Sequence, residues 1–195
     1  SLLYIYLLMP ASSWLLAYIF FPGEPGLATG YIFAAVLPCG ITGAIWTLIA
    51  RGNMALNLSL VTLTTLASGL TTPWLLRLWA GAFIDINVWN LTKSLVLTVV
   101  IPVIIGLVVH ERWPERARSW QAPLSLEVKL TMLVIVAAFT ADALPDLKQM
   151  PGLERVILVA AAFLHLMLGH LGAYALARWM RIDHEDAVAL AYASG

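Results

Sequence analysis

The hydrophobic positions of this chain gather into long runs, and the polar positions into short clusters between them. Residues 2–21, 27–50, 55–80, 88–109, 128–144 and 156–180 are apolar runs. Each approaches or exceeds the roughly 20 residues that a helix needs to cross the hydrocarbon core of a bilayer. A seventh run begins near Asp186. The pattern predicts an all-α, polytopic membrane protein.

The second run carries an interruption, with Pro38 followed by Gly40 and Gly43. Proline removes a backbone donor and its ring clashes with the preceding turn, and glycine weakens a helix further. Inside hydrocarbon, freed backbone groups are tolerated only where protein or a water-filled cavity satisfies them. Interrupted helices at mid-membrane are where transporters hold a substrate or ion. The spacing predicts a helix broken within residues 37–44, opening on a wet crevice, with Thr42 and Gly43 at a binding site.

The connections carry matching punctuation. Residues 22–26, Pro-Gly-Glu-Pro-Gly, read as a tight turn. Gly52 is expected in the left-handed position that ends the second run, and Asn53 as the cap that starts the third. Residues 110–129 form the longest polar stretch and are expected to be a loop. Glu185 and Asp186 suit the first turn of the last helix. Arg51, Arg112, Arg116, Arg118, Lys129, Arg178 and Arg181 fall on one side of the membrane, against Arg77, Lys148 and Arg155 on the other. That bias predicts a cytoplasmic location for the first side. The chain opens on Ser1 within one apolar run and stops at Gly195 within another, as expected of an internal fragment of a larger membrane protein.

Composition narrows the function. The chain is 61% hydrophobic and 11% charged, with zero net charge. Soluble domains carry about 25% charged residues, so the lipid bilayer is the expected partner. Zero net charge argues against nucleic acid. One cysteine excludes an internal disulfide and a multi-thiolate metal site. There is no His-Glu-x-x-His, no Gly-x-Ser-x-Gly and no phosphate loop. An intramembrane enzyme would need a polar catalytic pair elsewhere, and no metal or cofactor is expected.

The third run is rich in Asn, Ser and Thr. Asn57, Val61, Thr64 and Thr65 share one helical face, and Ser59 and Thr62 another. Such side chains face bundle interiors or bond back to their own helix. Facing the break, Asn57 and Thr62 are candidate ligands. His165 and His170 stand five residues apart, on different faces, which disfavours a two-histidine metal site. His165 reads as an interior hydrogen-bonding residue that can serve a solute. Lys93 can snorkel to the interface. Cys39 beside the break is either small apolar packing or a thiol for a soft ligand.

Several ordered elements resemble the bile acid:sodium symporter family, which shares a wider group with arsenite permeases. They are Leu8-Met9-Pro10-Ala11-Ser12-Ser13-Trp14, Pro38-x-Gly40, Ile49-Ala50-Arg51-Gly52-Asn53-x-Ala55-Leu56 and Thr72-Pro73. Pro102 with Gly106, Leu164-His165 and Asp186-Ala187 follow in order. The resemblance implies ten transmembrane helices in two inverted five-helix repeats, with this chain supplying the third to the ninth. It implies a core near residues 2–80 and 156–195, a mobile panel near 88–144, and two broken helices crossing at the site. Ser194 and Gly195 would then flank the second break. The activity implied is secondary transport of a small anionic organic solute in a bacterial inner (plasma) membrane.

Departures from the family pattern concern sodium. Sodium-coupled members carry a Ser-Asn pair where this chain has Gly43 and Ala44, and a hydroxyl residue where it has Val61. They carry Ser at Asn57, Glu at Ala193 and Gln at Ile5. A hard cation wants several oxygen ligands, so weak or absent sodium coupling is expected. Arsenite permeases are similar at Cys39, Trp46 and Ala50-Arg51-Gly52-Asn53, which makes arsenite efflux through a Cys39 thiolate the alternative.

Overall fold

The computed structural model describes residues 2–38, 40 and 42–194. Every regular element among them is helical. We number the helices α1 (Tyr4–Phe20), α2 (Pro25–Val36), α3 (Thr42–Ile49), α4 (Met54–Ala80), α5 (Val88–Arg112), α6 (Pro114–Gln149), α7 (Gly152–Trp179) and α8 (His184–Ser194). Helices α1, α5 and α7 each contain one widened turn, at Tyr4–Leu8, Val96–Val100 and Leu168–Gly172.

The second apolar run is two helices and not one. Helix α2 ends at Val36, Leu37 turns extended with ψ 152°, and α3 resumes at Thr42. The interruption expected at Pro38 is therefore present. Among the described residues, four helical stretches are long and apolar enough to cross a membrane, namely Met54–Ala80, Val88–Arg112, Leu126–Gln149 and Gly152–Trp179. The first run is a shorter apolar helix, and α2 and α3 are half-helices.

Asn53 caps α4, its side-chain oxygen accepting from the Leu56 N–H at 3.1 Å. Pro25 opens α2 at the position where a missing N–H costs nothing. Glu185 and Asp186 lie in the first turn of α8. Gly52, however, is not left-handed. Arg51 takes that position with φ 56°, and Arg181 does the same after α7 with φ 61°. Both corners close in the same way, Gly52 N–H reaching Thr47 O at 2.8 Å and Ile182 N–H reaching Ala177 O at 3.0 Å. Gly52 is needed for space, because a Cβ there would stand 2.6 Å from a Val188 methyl and 2.9 Å from that of Thr47.

The polar stretch 110–129 is not a loop. Helix α5 runs on to Arg112 and α6 begins at Pro114. Pro114 occupies the first turn, where proline is tolerated, and Glu115 suits the dipole there. Arg118 pairs with Glu115 one turn away at 3.6 Å. Polarity here marks a helix leaving the membrane. The 36 residues of α6 extend about 54 Å, well beyond a hydrocarbon core of about 30 Å.

The chain divides into two compact units, residues 1–101 with 160–195, and residues 102–159. In the first, α1 packs on α2, α2 on α4, and α8 on α3, α4 and the second half of α7. Gly69 of α4 lets the widened turn of α5 approach, since a Cβ there would meet Val96 and Val100. Apolar side chains of the second unit are exposed, Leu133 at 71% and Phe139 at 72%. Water would not tolerate so large an apolar surface, so lipid is its solvent.

Candidate functional site

The ends of three helices meet at the interruption. The carbonyl end of α2 is closed by Thr72 of α4, whose hydroxyl donates to Val36 O at 2.9 Å. Both Thr72 and the neighbouring Pro73 are fully buried. The start of α3 is tightened by Gly43 N–H donating to Gly40 O at 3.0 Å. Thr47, also buried, returns its hydroxyl to Gly43 O at 2.8 Å.

Helix α8 crosses α3 at Gly43. A side chain on Gly43 would run into the backbone carbonyl of Tyr192. Asn57 lies beside this crossing, its Nδ2 3.8 Å from where that Cβ would stand. The same Nδ2 donates to Ala189 O at 3.1 Å, while Oδ1 is buried without a partner. One turn earlier, Asn53 donates to the Asp186 carboxylate at 2.8 Å and its N–H to Glu185 O at 3.0 Å. Two asparagines and two glycines thus hold α8 against the α3–α4 corner.

A cavity of about 200 Å³ lies at the interruption. Leu37, Pro38 and Gly40 line it from the broken segment, Ile5 and Met9 from α1, His165 from α7, and Tyr192 and Ser194 from α8. His165 stacks edge-on against Tyr31 at 5.2 Å, and its Nδ1 is buried without a partner. Tyr31 ties three helices: its hydroxyl donates to Ala161 O at 2.7 Å, and its carbonyl accepts from Ser13 at 3.1 Å. Tyr4 donates to Leu168 O, a carbonyl in the widened turn of α7. The Ser194 hydroxyl donates back to Leu190 O at 2.7 Å, leaving acceptor capacity toward the cavity.

Of the residues named from the sequence, His165 and Ser194 line this cavity, and Gly43 and Asn57 form the crossing beside it. Thr42 is exposed at the first turn of α3. Thr62 is not brought to the crossing: it lies on an exposed face of α4 and bonds to Leu58 O of its own helix at 2.9 Å. Thr64, on the Asn57 face, is buried, as are Ser68 and Thr72 further along the helix. Cys39 and Gly195 lie outside the described residues. His170 lies away from His165 and meets Tyr192 edge-on at 5.4 Å. Tyr192 and Tyr31 were not signalled by the sequence, because their roles come from contacts across the fold; Thr72 was named there with Pro73, but its bond to Val36 was not foreseen.

The site holds groups suited to a polar solute in an apolar wall: an imidazole, a hydroxyl and, at the crossing beside it, an unpaired amide oxygen. Among the described residues, no group of three His, Cys, Asp or Glu side chains is placed to hold a metal ion.

Comparison with known proteins agrees with this architecture. The chain is 30% identical over 196 residues to the protein YbaS of Bacillus subtilis (strain 168), covering 100% of this chain and 64% of YbaS. It is 26% identical over 191 residues to YocS of the same organism, named a sodium-dependent transporter, covering 97% of this chain and 58% of YocS. It is 30% identical over 150 residues to the sodium-dependent organic anion transporter of Mus musculus, covering 70% of this chain and 37% of that protein. The chain therefore spans less than two thirds of the length of these relatives. The model of the sodium bile acid symporter family matches residues 1–147. Together with the helix broken at Pro38, these matches place the chain in the sodium bile acid symporter family, a family of membrane transporters.

Proposed function

We propose that the full-length protein is a secondary transporter that moves a small anionic organic solute across a bacterial inner membrane, with weak or absent coupling to sodium. The observation that carries this reading is the cavity at the interruption, where the broken segment at Leu37, Pro38 and Gly40 meets His165, Tyr192 and Ser194. Helix α3 begins just after this segment, and a helix N-terminus favours an anion. The mouse relative named for organic anions and the Bacillus subtilis relatives support the solute class and the membrane.

Weak coupling rests on side chains. Gly43, Ala44 and Ala193 offer no side-chain oxygen. Ala193 packs in an apolar cluster with Leu60, Ala177, Ala187 and Leu190, where a carboxylate would otherwise be needed for a hard cation. Backbone carbonyls and Asn57 Oδ1 are a poor substitute for a charged ligand set.

The test is uptake of organic anions by the full-length protein in proteoliposomes, with and without an inward sodium gradient. Uptake that persists at similar rate when potassium replaces sodium is expected. Strict dependence on sodium would overturn the coupling assignment, and absence of any anion uptake would overturn the solute class.

A further inference from the structure

A second cavity, of about 520 Å³, lies at the C-terminal end of α4 and the start of α5, lined by none of the residues of the transport site. Its lining includes apolar and charged side chains, with Asn87 and Thr92 as uncharged polar ones. Leu70, Trp74 and Trp89 are apolar, whereas Arg77 and Asp85 carry charge. Arg77 lies in the last turn of a membrane-spanning helix, and Asp85 in the turn that follows. Leu70 sits about two helical turns deeper than Arg77. The charges therefore lie at headgroup depth, and the apolar wall runs down beside the acyl chains.

The charges are also unspent. Among the described residues the one ion pair joins Arg118 and Glu115, so Arg77 and Asp85 line the same cavity without pairing. Trp74 and Trp89 are 62% and 66% exposed, as befits indoles at a membrane interface. Lys93 is held over the Trp89 ring at 5.1 Å, so this cation is already engaged.

A ligand that satisfies these groups has one anionic and one cationic centre and an apolar extension on the membrane side. We infer that this cavity binds the headgroup of phosphatidylethanolamine. The Arg77 guanidinium takes the phosphate in its fork of donors. The Asp85 carboxylate accepts from the primary ammonium, and the acyl chains run along Leu70 and Trp74. A lipid with an anionic headgroup and no ammonium would leave Asp85 facing negative charge. The lipid is favoured over a free zwitterion because the apolar wall continues into the lipid-facing surface.

Full-length protein is reconstituted in nanodiscs containing equal parts phosphatidylethanolamine and phosphatidylglycerol, and the retained lipid is counted by native mass spectrometry. The wild type is expected to retain phosphatidylethanolamine over phosphatidylglycerol by about fivefold, the scale of one charge contact at a membrane surface. Asp85→Asn, an amide of the same shape at an exposed position, is expected to abolish that preference. Arg77→Gln is expected to lower retention of both lipids. Equal retention by the wild type, retention of neither lipid, or an unchanged preference in Asp85→Asn would each overturn the proposal.

Discussion

The hydroxyl of Thr72 donates to the carbonyl of Val36 at 2.9 Å, so the open end of α2 is closed by a side chain 36 residues further along the chain. In lipid no water replaces a lost partner. Thr72→Val keeps the shape and removes the donor. We expect it to lower stability by about 1–3 kcal/mol, the cost of leaving a buried acceptor unpaired, and to reduce uptake. A thermal melt of the full-length protein in detergent reads the first effect. An unchanged melting temperature would show that the interruption does not depend on Thr72.

Gly43 lies where α3 and α8 pack against each other. Gly43→Ala places a methyl against the Tyr192 carbonyl, which is backbone and cannot swing away. Overpacking of this kind costs on the order of 1–3 kcal/mol. Gly106→Ala is the control, since nothing lies within 4 Å of a Cβ there. Comparing the two melting temperatures checks this, with loss expected for the first and none for the second.

Much of this arrangement was legible in the chain. The interruption followed from Pro38 and the glycines, and the cap from Asn53, because each acts through its own backbone. That Asn57 and Thr64 share a face of α4 followed from their spacing, and both are buried. Local rules failed where neighbours decide. Gly52 looked like a left-handed cap, yet its small size serves contact with Val188 while Arg51 takes the strained angle. Residues 110–129 looked like a loop because polarity cannot separate a loop from a helix that has left the bilayer. Thr62 could not be told from Thr64 until packing chose between the two faces of α4. The Tyr31 link to Ala161 joins positions 130 residues apart, and no local pattern announces it.

Asn53 does two jobs, capping α4 and donating to Asp186. Aspartate caps helices about as well as asparagine. Asn53→Asp nevertheless puts a carboxylate against that of Asp186 and loses the donor. It is expected to destabilise at least as much as Asn53→Ala, by about 1–2 kcal/mol. A melting temperature for Asn53→Asp equal to wild type would mean that the capping bond alone matters.

Asn57 and Thr62 lie on different faces of α4 and give opposite expectations. Asn57→Leu removes the bond to Ala189 and the unpaired oxygen at the crossing, and should cut uptake about tenfold or more, since about 1.4 kcal/mol is tenfold. Thr62→Val changes an exposed hydroxyl that bonds only within its own helix, and should leave uptake within about twofold. Initial uptake rates, normalised to protein in the membrane, distinguish them.

The central claim is that the interrupted helix opens on a water-filled cavity, and thiol labelling tests it most directly. In a cysteine-free full-length background, with Cys39→Ala, Ser194→Cys would place a thiol of similar size in the cavity wall, while Leu133→Cys would place one on an apolar surface, where Leu133 is 71% exposed. Thiols react as thiolates, which form in water and not in hydrocarbon. A hydrophilic methanethiosulfonate is expected to label the thiol at 194, more slowly when solute is bound, and to spare the one at 133. Equal inertness at both positions would contradict the account.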